Sequence, residues 1–207
     1  MKRIILLIMV ASSLMATAQN HKKHHRSSEF DFTARVSLNG SQIDGDGSGG
    51  YSHLGFNAGV NTSFPLGEGG FRMTVELGLS QKGSIVNSLN RNISLYYFEV
   101  PLMLTYRAVD DKLDLGLGIA PAFLGRAHVT DGGAYNQVQS SNYRKMDLLP
   151  FVASAQYLFS DHLGINVRFN TSLLNVGIEN GSGTYRLFRS NRGQFNRLVS
   201  AGVAYRF

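Results

Sequence analysis

The chain has no cysteine, no tryptophan and only four prolines in 207 residues. Lack of cysteine excludes a disulfide scaffold, a thiol nucleophile and a cysteine-held zinc site. It also excludes a lipoprotein anchor. Charge is scarce: Asp, Glu, Lys and Arg make up 16%, against about 25% in ordinary soluble domains. Long apolar runs are missing too. Beyond residue 19 none approaches the roughly 18 residues that a membrane helix requires, so a helical membrane protein is excluded. No Ser–His–acid spacing stands out, so no enzymatic activity, cofactor or metal is expected. What the chain does have is 23 glycines, 13 phenylalanines and 9 tyrosines. That aromatic content argues against disorder, and the length suits one domain.

The first 18 residues read as a signal peptide. Lys2 and Arg3 form a basic start, Ile4 to Val10 an apolar core, and Ala16-Thr17-Ala18 a small-residue cleavage site. The mature chain is expected to begin at Gln19. Residues 19–29 form a basic linker. Its His21, His24 and His25 lie in a polar tract without apolar partners, which reads as a solvated tail rather than a metal site.

From residue 30 the dominant period is two, not 3.6. Residues 54–64 place Leu54, Phe56, Ala58, Val60 and Phe64 on one face. Residues 71–80 do the same with Phe71, Met73, Val75, Leu77 and Leu79. Similar segments run over 30–39, 94–107, 112–125, 146–159, 162–173 and 196–207. Each is near the ~9–11 residues that cross a bilayer at a tilt. The expected fold over 30–207 is therefore all-β, an eight-stranded antiparallel up-and-down transmembrane β-barrel.

Three patterns turn the apolar face outward. Gly55, Gly59, Gly78, Gly116, Gly118, Gly164 and Gly202 all sit on the polar face, where a narrow lumen needs room for long neighbours such as Arg72 or Arg168. The connections alternate long and short. The long ones are 40–53, 83–93, 126–145 and 174–195, as expected of extracellular loops. The short ones, Pro65–Gly70, Ala108–Asp111 and Ser160–Asp161, suit periplasmic turns. At that periplasmic end stand Phe30, Phe32, Phe64, Phe71, Tyr106, Tyr157, Phe159, Tyr205 and Phe207, as an interfacial girdle requires. A soluble lipocalin-like periplasmic binding protein, with its apolar face inward, is the alternative fold; a narrow porin is the alternative function.

The segment Tyr96-Tyr97-Phe98-Glu99-Val100-Pro101-Leu102 resembles the "Y-hydrophobic-E-[IV]-P-L" strand of the PorT-like small outer-membrane β-barrel family. Asn39-Gly40 and Gly55-Phe56-Asn57-Ala58-Gly59 are similar to the opening of those barrels. The terminal Tyr205-Arg206-Phe207 looks like the signal read by the barrel-assembly machinery. The resemblance spans nearly the whole mature chain. It implies a location in the outer membrane of a two-membrane bacterium, and a structural, surface-interaction or secretion-accessory role. The partners it implies are outer-membrane lipid and lipopolysaccharide, the assembly machinery during biogenesis, and secretion-system proteins. A monomer is expected, and no nucleic-acid partner.

Alternation turns Arg72, Glu76, Lys82, Glu99, Arg107, Asp114 and Arg168 inward. Of these Arg72, Glu76, Glu99, Arg107, Asp114 and Arg168 are expected to form a lumen charge network that plugs the barrel; a proton or substrate site is the competing reading. Pro101, Pro121 and Pro150 are expected to break strands, since proline donates no ladder hydrogen bond. Arg186, Arg189 and Arg192 in the last loop are expected to contact lipopolysaccharide phosphates or another anion. Asp44-Gly45-Asp46-Gly47 begins like a calcium loop, but Gly55 stands where the twelfth-position Glu belongs, so the motif fails.

Overall fold

The computed structural model describes residues 30–44, 50–67, 69–86, 90–109, 111–131, 143–177 and 194–207. The expected signal peptide (1–18) and basic linker (19–29) lie outside the described residues. Alternating sequence here becomes strand almost throughout: β1 Asp31–Asp44, β2 His53–Pro65, β3 Phe71–Val86, β4 Arg91–Glu99, β5 Leu102–Ala108, β6 Leu113–Ile119, β7 Ala122–Asp131, β8 Met146–Asp147, β9 Pro150–Leu158, β10 Leu163–Ser172 and β11 Phe195–Arg206. All pairings are antiparallel, and β1 pairs with both β2 and β11, which closes the sheet.

Eleven segments make eight spanning strands, because three of them are broken once. The lower half of β3 pairs with β5 and its upper half with β4. In the same way β6 and β7 continue one another, as do β8 and β9. The breaks fall at Pro101, Pro121 and Pro150, as sequence predicted. They lie on one level of the wall. Glu76 N donates to Pro101 O (2.9 Å), Val100 N to Pro121 O (2.8 Å) and Ala120 N to Pro150 O (2.8 Å). Each proline still accepts a bond from its neighbour but offers none in return.

The side-chain faces follow the period of two. Val36 is 61% exposed while its neighbour Arg35 is 2% exposed. Leu54, Leu77, Leu79, Leu117, Ile165, Val167 and Val203 also point outward and are exposed. Polar and charged residues fill the interior instead. That is the reverse of a soluble barrel, so the lipocalin-like alternative fails.

Outward aromatics pair at the short-turn end: Phe30 with Phe64 (centroids 5.9 Å), Phe71 with Tyr106 (5.1 Å) and Tyr205 with Phe207 (5.0 Å). Along the fourth spanning strand the outward residues are Tyr106, Leu104, Leu102, Val100, Phe98 and Tyr96. From Tyr106 to Tyr96 is ten steps of about 3.3 Å, tilted by about 40°, which matches the roughly 25 Å apolar band of outer-membrane barrels.

Three expected boundaries move at the long-loop end. The connection expected over 83–93 shrinks, because β3 runs to Val86 and β4 starts at Arg91, with Asn90 at φ 48° completing the turn. Strand β1 continues to Asp44, and β7 to Asp131. Cross-strand pairing above the lipid level prolongs them, as in the register Gly40↔Val199 to Asp44↔Phe195. Polar sequence there had read as loop. Between β2 and β3 the backbone ladder stops at Asn57↔Ser80. Side chains replace it: Asn39 Nδ2 donates to Gln81 O (3.1 Å), and Ser41 Oγ accepts from Gly83 N (2.8 Å) and donates to Gly83 O (3.2 Å).

Candidate functional site

The lumen is filled in layers. At mid-height Glu76 on β3 carries the central carboxylate. Arg35 on β1 donates Nε to Oε1 and Oε2 (3.1 and 3.0 Å), and its Nη2 also bonds Oε1. Arg168 on β10 donates Nη1 to Oε1 (3.0 Å) and Nη2 to Oε2 (2.8 Å). Arg35 Nη1 donates further to Asn57 Oδ1. The three side chains are between 0% and 2% exposed. Two forks on one carboxylate satisfy its lone pairs from both sides and leave the layer one positive charge in excess.

Small residues make this layer fit. A Cβ at Gly59 would lie 2.7 Å from Glu76 Oε1, and one at Gly78 would lie 3.2 Å from the same atom. Both glycines sit on the lumen face beside the carboxylate. The expected room is therefore made for Glu76 and Arg35 rather than for Arg72.

Towards the short turns lies a second group. Asp31 Oδ2 forms ion pairs with Arg72 (3.1 Å) and Arg107 (2.6 Å), while Asp114 accepts from Arg107 Nε (2.8 Å) and from Arg206 (2.5 Å). Between this floor and the Glu76 layer is a polar cavity of about 40 Å³, lined by Thr33, Asn61, Thr74, Gln156 and Asn166 among others. It has room for about three waters.

Towards the long loops lies a third group. Lys82 Nζ stands 2.6 Å from Glu99 Oε1 and 5.1 Å from the centre of the Tyr97 ring. Asp147 accepts from Ser172 Oγ, and Tyr97 Oη accepts from Asn196 Nδ2 (3.2 Å). Above it Ile43, Ile93, Leu95, Ala127, Val129 and Tyr143 pack into an apolar cluster beside the buried Ser84 and Asn196.

The six charges expected to act together thus divide among three groups. Glu76 and Arg168 meet at mid-height. Arg72, Arg107 and Asp114 belong to the floor, and Glu99 to the upper pair. Sequence reading missed Arg35, Asp31, Asp147 and Arg206. The signal for Arg35 was present, since it alternates with the outward Val36 and Leu38. The apolar cap was missed because both faces of Leu95–Phe98 are apolar or aromatic, so alternation carries no contrast there. Arg186, Arg189 and Arg192 lie outside the described residues. His53 reaches Ser94 Oγ (2.8 Å), and His162 bonds Arg206 O (2.8 Å). Among the described residues no three carboxylate or imidazole groups are placed to hold a metal.

Comparison with known proteins agrees with this architecture. The model of the family described as outer membrane protein beta-barrel domain matches residues 17–176. The chain belongs to this outer-membrane β-barrel family. Its structure is similar to Ail, the attachment invasion locus protein of Yersinia pestis, with a TM-score of 0.52 and 16% identity over 86% of this chain and 99% of that one. It is also similar to Neisserial surface protein A, with a TM-score of 0.48 and 14% identity over 86% of this chain and 97% of that one. At such identities the likeness to Ail speaks for the fold. No curated protein matches the sequence. For a member of this family, the outward apolar belt is the surface that faces outer-membrane lipid.

Proposed function

We propose that this protein is a small non-conducting barrel of the outer membrane, non-enzymatic, with a structural or surface-interaction role. One observation carries the reading: the Arg35–Glu76–Arg168 layer spans the lumen from β1 through β3 to β10. A path for ions would have to separate both guanidinium groups from the shared carboxylate in a desolvated interior, which costs several kcal/mol. The apolar cap above adds a second barrier. This favours a plug over a narrow porin and over a substrate site.

Export by a cleaved signal peptide, with Gln19 first in the mature chain, belongs to the same reading. So does a monomeric barrel inserted by the assembly machinery. The Tyr96–Leu102 motif supports a PorT-like subgroup, and with it an accessory role in secretion. Arg186, Arg189 and Arg192 suit lipopolysaccharide phosphates by their chemistry.

Planar-bilayer recording tests the plug. The purified protein is expected to give no stepwise currents. Stepwise currents from the unaltered protein would make it a porin. Deleting the gene and measuring secreted protein tests the accessory role, which an unchanged secretome would remove.

A further inference from the structure

The outer wall carries a hollow that plays no role in the lumen plug. Opposite β4, strand β7 holds one extra residue: Tyr96 pairs with Arg126 while Tyr97 pairs with Leu124, so Gly125 is bulged. Strict alternation from the outward Phe123 would turn residue 126 into the lumen. The bulge reverses this. Ala127 and Val129 go inward to the apolar cap, and Arg126 is exposed on the outer wall. Because Gly125 has no side chain, a Cβ there would meet only Tyr96 O, at 3.6 Å. Beside it lies a hollow of about 420 Å³ lined by Leu79, Tyr96, Phe98, Gly125, Arg126 and His128.

The level of this hollow decides its chemistry. Tyr96 stands at the upper edge of the apolar band, ten residues from Tyr106 at the lower edge, and Tyr96 pairs directly with Arg126. The floor, Leu79 and Phe98, lies within the band. The rim, Arg126 with the Tyr96 and His128 rings at 6.4 Å from each other, lies at the water boundary. Among the described residues Arg126 makes no ion pair. An exposed guanidinium above an apolar slot, with a phenol and an imidazole beside it, complements an amphiphile with an anionic head. Arginine's planar fork favours phosphate in particular.

We propose that the hollow beside Gly125 binds a phosphate-bearing lipid of the leaflet at the long-loop end. The phosphate sits on Arg126, and an acyl chain lies along Leu79 and Phe98. The site does not depend on whether the lumen conducts.

Native mass spectrometry of the full-length protein in detergent micelles tests this. The probes are dioleoylphosphatidic acid, dioleoylglycerol with the same chains but no phosphate, and inorganic phosphate. Phosphatidic acid is expected to be retained at least about tenfold better than dioleoylglycerol. Arg126→Gln should lose about that preference, and Arg126→Lys should keep some of it. Gly125→Val keeps the cation but fills the hollow, and is expected to lose retention. Lys112→Gln, at the opposite end, should bind as the unaltered protein does. All four variants change exposed positions, and a heat-modifiability gel shift checks folding. Equal retention of the two lipids, or retention unchanged in both Arg126→Gln and Gly125→Val, overturns the proposal. Displacement of the lipid by inorganic phosphate as readily as by more lipid would make this an anion site and overturn the lipid assignment.

Discussion

Gly59 lies so close to Glu76 that a methyl group on it would stand 2.7 Å from the carboxylate Oε1 and 3.0 Å from Leu77 O. One of those atoms is backbone, so the strain cannot be relieved by the side chain alone. Gly59→Ala is therefore expected to destabilise the folded barrel by about 1–3 kcal/mol, the usual cost of overpacking. The urea midpoint of the gel-shifted form in phospholipid vesicles measures it. A midpoint equal to that of the unaltered protein would mean that Glu76 is not held against β2.

Glu76→Gln removes the charge and keeps the shape. It leaves Arg35 and Arg168, side chains 1% and 2% exposed, without a counter-charge. A loss of about 3–5 kcal/mol is expected in the same assay. Changing all three residues to apolar ones of similar size should recover most of it, because a buried ion pair costs about as much to desolvate as it returns.

Val167 points outward next to Arg168, level with Glu76, and is 49% exposed. On a soluble protein Val167→Lys would be nearly neutral. Facing lipid near mid-membrane it is expected to cost about 2–4 kcal/mol. Comparing folded yields in vesicles checks this, and equal yields would deny the lipid-facing belt.

Ser41 Oγ stands in for a missing ladder bond, accepting from Gly83 N and donating to Gly83 O. Ser41→Ala strips both buried groups of their partner and is expected to cost about 1–3 kcal/mol. Hydrogen exchange at Gly83 should accelerate, while Ala58, on the intact ladder with Leu79, should be unaffected. Equal acceleration at both would show global loosening instead of a local seam.

Much of the barrel was legible because its information is local. A period of two needs only neighbouring residues, and it separated Phe71 from Arg72 and Leu77 from Glu76. Proline chemistry is equally local, which is why Pro101, Pro121 and Pro150 break the strands where expected. The strand ends at Asp44, Val86 and Asp131 were not legible. Above the lipid, polar side chains on both faces erase the contrast that alternation depends on, and only the paired backbone marks the strand.

By itself, then, the sequence determined an all-β chain of eight spanning strands with polar residues turned to one face and apolar residues to the other. It did so through side-chain period, glycine placement and turn spacing. Only the tertiary structure decided which charges meet. Arg35 lies 41 residues from Glu76 and Arg168 lies 92 residues from it, and the register of a closed ring, not sequence distance, sets them on one carboxylate. Only the tertiary structure decided, too, that Arg126 faces outward. One unpaired residue at Gly125 flips every side chain after it, and a bulge exists only once β4 and β7 are laid side by side.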